Sequence, residues 1–185
     1  IAEAIRSVLA QSFEDFELII INDGSTDNSL SISYSFRDKR IRIISQKNAG
    51  VSVARNVGIK EAKADLIAFL DADDIWDDCF LERIFDLNKI FSHCSIFSLG
   101  YLYLHATGAK STPTFNGIPK SPWRGTINDY FKIASVSDPP ICSSSVVIKK
   151  NALIDIGGFP EGIKSGEDLL TWAKLSSKSS IAFDN

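Results

Sequence analysis

The 185-residue sequence has no methionine, two histidines and three cysteines, and no long apolar run. Cys79, Cys94 and Cys142 are widely spaced, which excludes a paired-cysteine metal site and predicts reduced thiols in a cytosolic compartment. His93 and His105 share no spacing with other metal ligands. No run approaches the ~18 apolar residues that a membrane-spanning helix needs, so we expect none within this chain.

Basic runs are also absent, since lysine and arginine never occur in runs longer than two residues and the net charge is -3. This argues against a nucleic-acid partner, because such proteins usually carry a basic patch. The chain length predicts one folded domain, residues 1–185. A helical pattern begins at Ile1, with no start methionine before it, and a strand-like segment at 181–183 stands near the other end. We therefore expect this sequence to be a fragment of a longer protein.

The first half of the sequence alternates apolar strands with amphipathic helices. Strands are predicted at 16–22, 41–45 and 66–70. Helices are predicted at 2–11, 28–37 and 51–63. This order predicts an α/β fold with a parallel sheet, right-handed crossovers and helices on both faces.

The second half is less regular. Helices are predicted at 78–91, 126–134, 150–156 and 168–175. Strands are predicted at 95–104 and 141–148, with an exposed loop at 106–125. The last helix is expected to bury Leu169, Trp172 and Leu175.

An apolar run, Leu66–Leu70, leads directly into the carboxylates Asp71, Asp73 and Asp74. Ligands of α/β sheets bind at the carboxyl ends of strands. In extended geometry Asp71 and Asp73 would leave the same side of the backbone and repel each other unless a cation lay between them. A magnesium or manganese ion carrying a diphosphate is one interpretation. Capping of the helix that begins near Asp77 is the other.

Asp23 and Arg55 each have two interpretations. Asp23 follows an apolar strand and precedes Gly24, so it either forms the turn or accepts a hydrogen bond from a base or a ribose. Arg55 lies one turn into a helix that begins near Gly50, where the positive helix end favours phosphate. The alternative for Arg55 is a surface ion pair.

The segment Gly166-Glu167-Asp168 begins the last predicted helix, after the glycine-rich run 157–162. A carboxylate at this position can serve as a general base. The alternative is a structural one, since negative charge stabilises a helix N-terminus.

Together these segments resemble glycosyltransferase family 2, the inverting nucleotide-sugar transferases with the GT-A fold. The resemblance rests on an ordered set of motifs that covers nearly the whole chain. They are IAEAIRSVLAQSF from residue 1, INDGSTD at 21–27, NAGVSVARNVG at 48–58, LDADD at 70–74, IGGF at 156–159 and GED at 166–168.

The resemblance implies a role for each matching position. Asp23 would contact the uracil of a UDP-sugar, Arg55 would lie near the base or the diphosphate, and Asp71 would contact the ribose. Asp73 would hold a divalent cation, Mn²⁺ or Mg²⁺. Asp168 would be the base that deprotonates the acceptor hydroxyl, in preference to its neighbour in the Glu-Asp pair.

It also implies a Rossmann-like, mostly parallel sheet, with residues 1–75 as the nucleotide-binding half and 76–185 as the acceptor-side half. The family's first strand is missing from this sequence. The implied partners are a nucleotide-sugar donor and a saccharide or lipid-linked acceptor, as in bacterial surface polysaccharide or glycan synthesis. The implied location is cytoplasmic, at the inner face of the membrane, with attachment through segments absent here.

Two alternatives remain at this point. A haloacid dehalogenase-type phosphatase also has an Asp-x-Asp after an apolar strand, but near the start of its chain, whereas three predicted elements come first here. A catalytically silent domain of the same fold would bind nucleotide or glycan without turnover. Donor hydrolysis assays would distinguish a silent domain from a transferase.

Overall fold

The computed structural model describes residues 1–185. Its seven α-helices are α1 Ala2–Leu9, α2 Ser29–Ser35, α3 Val51–Glu61, α4 Phe80–Ile90, α5 Tyr130–Val136, α6 Lys150–Asp155 and α7 Glu167–Ser176. Its nine strands are β1 Leu18–Asp23, β2 Ile41–Gln46, β3 Leu66–Ala68, β4 Ile96–Leu99, β5 Tyr103–Leu104, β6 Lys110–Ser111, β7 Arg124–Ile127, β8 Val146–Lys149 and β9 Ile181–Asp184. The predicted α/β class is confirmed.

The strands form two main sheets and one small hairpin. β1 and β2 pair in parallel, as predicted. A five-stranded sheet has the order β3-β8-β4-β9-β7, in which β3, β4 and β9 share one direction and β8 and β7 oppose them. β5 and β6 form the hairpin. The antiparallel strands β7 and β8 belong to the less regular second half, where β7 was not predicted and the direction of the predicted strand at 141–148 was not specified.

Helices cover both faces of the five-stranded sheet, as predicted. Alternate residues of the central strands belong to two separate apolar clusters, so Ile96 faces one cluster and Phe97 the other. The first cluster includes side chains of α3, α5, α6 and α7, with Trp172 fully buried. The second is formed with α4 through Ile84 and Leu87. The two apolar clusters pack against β3 from both sides and so fix the strand that precedes the carboxylates.

A cleft separates the two main sheets. β1 pairs only with β2, and β3 pairs only with β8, so each leaves one edge unpaired. Between them is an apolar-lined space of about 770 Å³, bounded by β1, β3, α1 and α3. The apolar side chains Leu18–Ile21 are only half-buried there. β1 and β3 therefore face the same cleft.

Several boundaries differ from prediction in the second half. The predicted strand 95–104 is split into β4 and the exposed β5, and the predicted loop 106–125 contains β6 and the start of β7. The predicted helix 126–134 begins later, at Tyr130, because Thr126 and Ile127 pair with β9. Pairing with a strand that lies ~55 residues later overrides the local preference.

Two further details correct the prediction. The segment 141–148 begins as a single 3₁₀ turn, Ser143–Ser145, before the extended strand β8. Helix α7 buries Thr171, Trp172 and Leu175, whereas Leu169 is half exposed, so its predicted burial was wrong.

Candidate active site

The candidate site lies where the ends of β1 and β3 meet the starts of α3, β8 and α7. β1 ends at Asp23, and β3 leads into Asp71 and Asp73. Helix α7 begins at Glu167. Arg55, which lies on α3, links the second and third of these regions through Asp71 and Glu167.

Asp23 is held at the end of β1 by its neighbours. Its carboxylate accepts hydrogen bonds from Gln46 Nε2 at 2.8 Å and from the backbone N–H groups of Ala49 and Gly50 at 2.9 Å each. The parallel register sets Asp23 opposite Gln46, and Gly50 is the N-cap of α3. Asp23 therefore fixes the turn and the start of α3, and it keeps part of its capacity to accept further hydrogen bonds.

These hydrogen bonds also determine the charge of Asp23. Partial burial would raise the pKa of this carboxyl group, but the bonds from Gln46, Ala49 and Gly50 outweigh that effect and hold the pKa below its usual value. The group is ionised at neutral pH. Gly24, with φ of +72°, permits the close approach of Asn48, whose backbone N would lie 2.8 Å from an added Cβ.

Asp71 and Asp73 do not continue the strand. β3 ends at Ala68, and the N–H of Asp74 donates to the carbonyl of Asp71 in a turn, so the extended geometry predicted for this pair was wrong. The two carboxylates meet different surroundings. Asp71 is paired with Arg55 at 2.9 Å, whereas Asp73 is exposed and has no hydrogen-bond or ion-pair partner in the protein. Neither caps α4, whose N-cap is Cys79.

Arg55 connects the two halves of the chain. Its side chain is 11% exposed and pairs with Asp71 at 2.9 Å and with Glu167 at 3.3 Å. It also donates to the hydroxyl of Ser143 at 3.2 Å and lies over the ring of Phe159. The surface ion pair considered for Arg55 is therefore replaced by a mostly buried network that uses most of its donors.

Glu167 and Asp168 differ in their partners. Glu167 is mostly buried against Arg55. Asp168 has no cationic partner and accepts only from the following N–H, that of Leu169. Burial and the nearby charge of Asp168 raise the pKa of Tyr130 on α5. Asp168 is thus the carboxylate of this pair that is free to accept a proton.

The serines before β8 are part of the site and were missed by sequence reasoning. The hydroxyl of Ser144 donates to Asp74 at 2.6 Å and accepts from the N–H of Asp71. The antiparallel register of β3 and β8 pairs Ala68 with Val147, which sets the start of β8 beside the carboxylates. The sequence shows a run of serines, Ser143–Ser145, before an apolar strand. Only the pairing of that strand with β3 shows that these serines lie beside the carboxylates.

No group of three or more His, Cys, Asp and Glu side chains is arranged to hold a metal ion by the protein alone. The donor set fits a different kind of site, because Asp73 presents a free carboxylate beside Asp71. Mg²⁺ is usually bound through one or two carboxylates together with phosphate oxygens and water. The residues present are compatible with a cation delivered with a phosphorylated ligand.

Residues 1–90 match the family described as glycosyl transferase family 2. A Rickettsia felis protein described as an uncharacterized glycosyltransferase is 36% identical over 97% of this chain, which covers 28% of that protein. A Rickettsia conorii protein with a similar description is 35% identical over the same shares. The Bacillus subtilis protein EpsJ, also described as an uncharacterized glycosyltransferase, is 45% identical over 45% of this chain and 25% of its own length.

Solved structures share the fold. S. aureus TarS residues 1–349 in complex with UDP match with a TM-score of 0.76 and 23% identity, over 99% of this chain and 53% of that chain. The complex of the same protein with UDP-GlcNAc also has a TM-score of 0.76.

The chain spans about a quarter of the length of the curated Rickettsia relatives. None of its helices combines the length and the apolar character that crossing a membrane requires.

Proposed function

The chain belongs to glycosyl transferase family 2 through residues 1–90, and on that premise we propose that it transfers a sugar from a nucleotide diphosphate sugar to an acceptor hydroxyl. The observation that carries the proposal is the network around Arg55. It joins Asp71, in the turn just after the edge strand β3, to Glu167, the neighbour of the unpaired carboxylate of Asp168. A donor site and a general base are thereby held at one edge of the fold.

A UDP-sugar is the proposed donor. Asp23 is ionised and retains capacity to accept the N–H of a uracil. Asp71 uses Oδ1 to accept from Arg55, so its Oδ2 could accept from a ribose hydroxyl. Arg55 lies one turn inside α3, near the helix start that favours phosphate, and its own charge is paired with Asp71 and Glu167. The shared fold of TarS, which was solved with UDP and with UDP-GlcNAc, supports this choice of nucleotide.

Asp73 would hold a divalent cation, Mn²⁺ or Mg²⁺, that arrives with the diphosphate. When bound, such an ion supplies a positive charge that stabilises the departing diphosphate. The free and exposed carboxylate of Asp73 supports this assignment. Ser144 would assist indirectly, since it anchors Asp74 and the N–H of Asp71.

Inversion requires a single displacement at the anomeric carbon. The acceptor oxygen would form the new bond as its proton passes to Asp168, and the bond to the diphosphate would break on the opposite side. Glu167 is a poorer base, because its carboxylate is occupied by Arg55. Asp168 comes from a different segment than the cation site, and the proposal requires it to lie on the face of the sugar opposite the diphosphate.

The acceptor is proposed to be a saccharide or a lipid-linked saccharide, in bacterial surface polysaccharide or glycan synthesis at the cytoplasmic face of a membrane. The relatives named above are bacterial proteins described as uncharacterized glycosyltransferases, which supports the bacterial part of this proposal. The phosphatase alternative finds no support among these relatives. A silent domain is disfavoured because Asp71, Asp73 and Asp168 are all present.

The test is calorimetric titration of UDP into the protein with Mn²⁺ and again with EDTA, followed by transfer assays with UDP-sugars. We expect metal-dependent binding in the parent, its loss in Asp73→Ala, and no change in Asp86→Ala on the exposed face of α4. Equal binding in both buffers would remove the cation from the donor site. Absence of binding in both would contradict the choice of UDP.

A further inference from the structure

Two neighbouring residues of α3, Arg55 and Asn56, hold the two ends of the segment 159–167. Asn56 contacts its beginning at Phe159, and Arg55 contacts its end at Glu167. Residues 161–165 between them are exposed. The position of the following residue, Asp168, therefore depends on the contacts of Arg55 and Asn56 with this segment.

The side chain of Asn56 makes paired hydrogen bonds to the backbone of one residue. Its Nδ2 donates to the carbonyl of Phe159 at 2.9 Å, and its Oδ1 accepts from the N–H of Phe159 at 2.8 Å. Nδ2 also donates to Glu161 Oε1 at 3.1 Å. Only a carboxamide can donate and accept at once in this manner. The pair fixes both the position and the orientation of the chain at Phe159.

The backbone beside Asn56 is shaped for this contact. Gly158 has φ of +73°, and a Cβ added there would lie 2.5 Å from Asn56 Oδ1. A side chain at this position would push the two segments apart, and the left-handed backbone would also be strained. The close approach thus requires glycine at position 158.

Phe159 transmits the contact to α7. Its ring is 1% exposed and packs edge to face on Phe69, after β3, and on Trp172 of α7, with ring centroids 5.2 and 5.7 Å apart. Aromatic pairs of this geometry resist displacement in a close-packed core. A shift of Phe159 would therefore move α7 relative to the end of β3.

We propose that Asn56 is a positioning residue, which sets the distance between the donor carboxylates and Asp168 by fixing the backbone of Phe159. Its side chain makes no hydrogen bond to a residue assigned to the donor or the cation. The inference rests on the proposed function for its catalytic consequence, but the clamp itself is a property of the fold. Its loss should lower turnover and leave UDP binding intact.

The first arm of the experiment measures amide hydrogen exchange, which needs no activity. In Asn56→Ala we expect the amides of 159–168 to exchange about tenfold faster or more, because local opening becomes easier. In Glu161→Ala, which removes only the third hydrogen bond, we expect exchange within about twofold of the parent. In Asn56→Asp we expect faster exchange as well, since a carboxylate would face the carbonyl of Phe159 and the charge of Glu161.

The second arm measures transfer kinetics. Small displacements of reacting groups can cost about 100-fold, so we expect kcat to fall about 10- to 100-fold in Asn56→Ala, with the UDP affinity within about twofold of the parent. The double variant Asn56→Asp/Glu161→Ala should recover part of the loss seen in Asn56→Asp, because the like charge is removed.

Unchanged exchange and unchanged kcat in both Asn56 variants would overturn the proposal. An equal loss of UDP affinity and kcat would also overturn it, because Asn56 would then belong to the donor site. Faster exchange without transfer by the parent would support the clamp and contradict the proposed function, so the two failures are distinguishable. A variant that does not fold is replaced by Asn56→Asp, which keeps the shape and the acceptor of the carboxamide.

Discussion

Asp23, at the end of β1, is held by groups no more than 27 residues away in the chain, whereas Glu167, at the start of α7, is held by Arg55, 112 residues earlier. The donor-side edge around Asp23, from the end of β1 to the start of α3, is formed by short βα connections within one parallel pair. The acceptor-side segment has few local bonds and depends on side chains of α3. Local connections make the first region robust, and long-range contacts make the second sensitive to single substitutions.

The largest expected effect is on Asp168, at the acceptor side of this comparison. Asp168→Asn removes the proposed base, and kcat should fall ~10²–10⁴-fold, the typical contribution of a general base. UDP affinity should stay unchanged, because Asp168 lies outside the donor-side edge. Steady-state kinetics and calorimetry check both statements, with Asp86→Asn as the control. Undiminished turnover would remove Asp168 from this role.

Arg55 joins the two regions, so its removal should affect both. Arg55→Gln leaves the mostly buried carboxylate of Glu167 without its cationic partner, and we expect a loss of about 1–3 kcal/mol in the free energy of unfolding. Kcat and UDP affinity should both decrease.

A double-mutant cycle with Glu167→Gln measures the coupling in denaturant titrations. The double variant should be less destabilised than the sum of the two single variants. Strict additivity would show that Arg55 and Glu167 do not stabilise each other.

Asp23 tests the donor-side edge through pH. Its pKa in the folded protein is lowered, so the ionised form stabilises the fold above the unfolded pKa of about 3.9, and this stabilisation is lost as the pH falls through the folded value. We expect the melting temperature of Asp23→Asn to lie below that of the parent at pH 6.

The difference should shrink as the pH falls below about 4, because Asp23 is protonated first in the unfolded chain and then, at its lower pKa, in the folded parent. Thermal scans from pH 3 to pH 7 check this trend. A constant difference over that range would mean that the hydrogen bonds of Asp23 do not depend on its charge.

The smallest effect is expected at Ser144. Ser144→Ala removes its bonds to Asp74 and to the N–H of Asp71, and each such bond is worth about 1 kcal/mol. We expect a modest loss of stability and a few-fold weaker metal-dependent UDP binding, since the turn that carries Asp73 loosens. Ser31→Ala, in the first turn of α2, is the control. Equal behaviour of the two variants would remove Ser144 from the site.

The features that depend on local contacts could be predicted from the sequence, and those that depend on long-range contacts could not. The strands β1, β2 and β3, the helices between them and the carboxylates at their ends follow from apolar patterns and short connections. The half-exposed Leu169 and the late start of α5 did not follow, because strand pairing with β9 and packing of α7 decide them. The role of Ser144 depends on the antiparallel neighbour of β3, which no local pattern specifies.

The sequence by itself determined the α/β class, the order of the motifs and the identity of the carboxylates Asp23, Asp71, Asp73 and Asp168, because these depend on local periodicity and residue chemistry. Only the tertiary structure decided that Arg55 joins Asp71 to Glu167 and that Asn56 holds Phe159. The contacts from Arg55 to Glu167 and from Asn56 to Phe159 join positions 112 and 103 residues apart in the chain. Their geometry depends on strand register and core packing, which the whole chain establishes together.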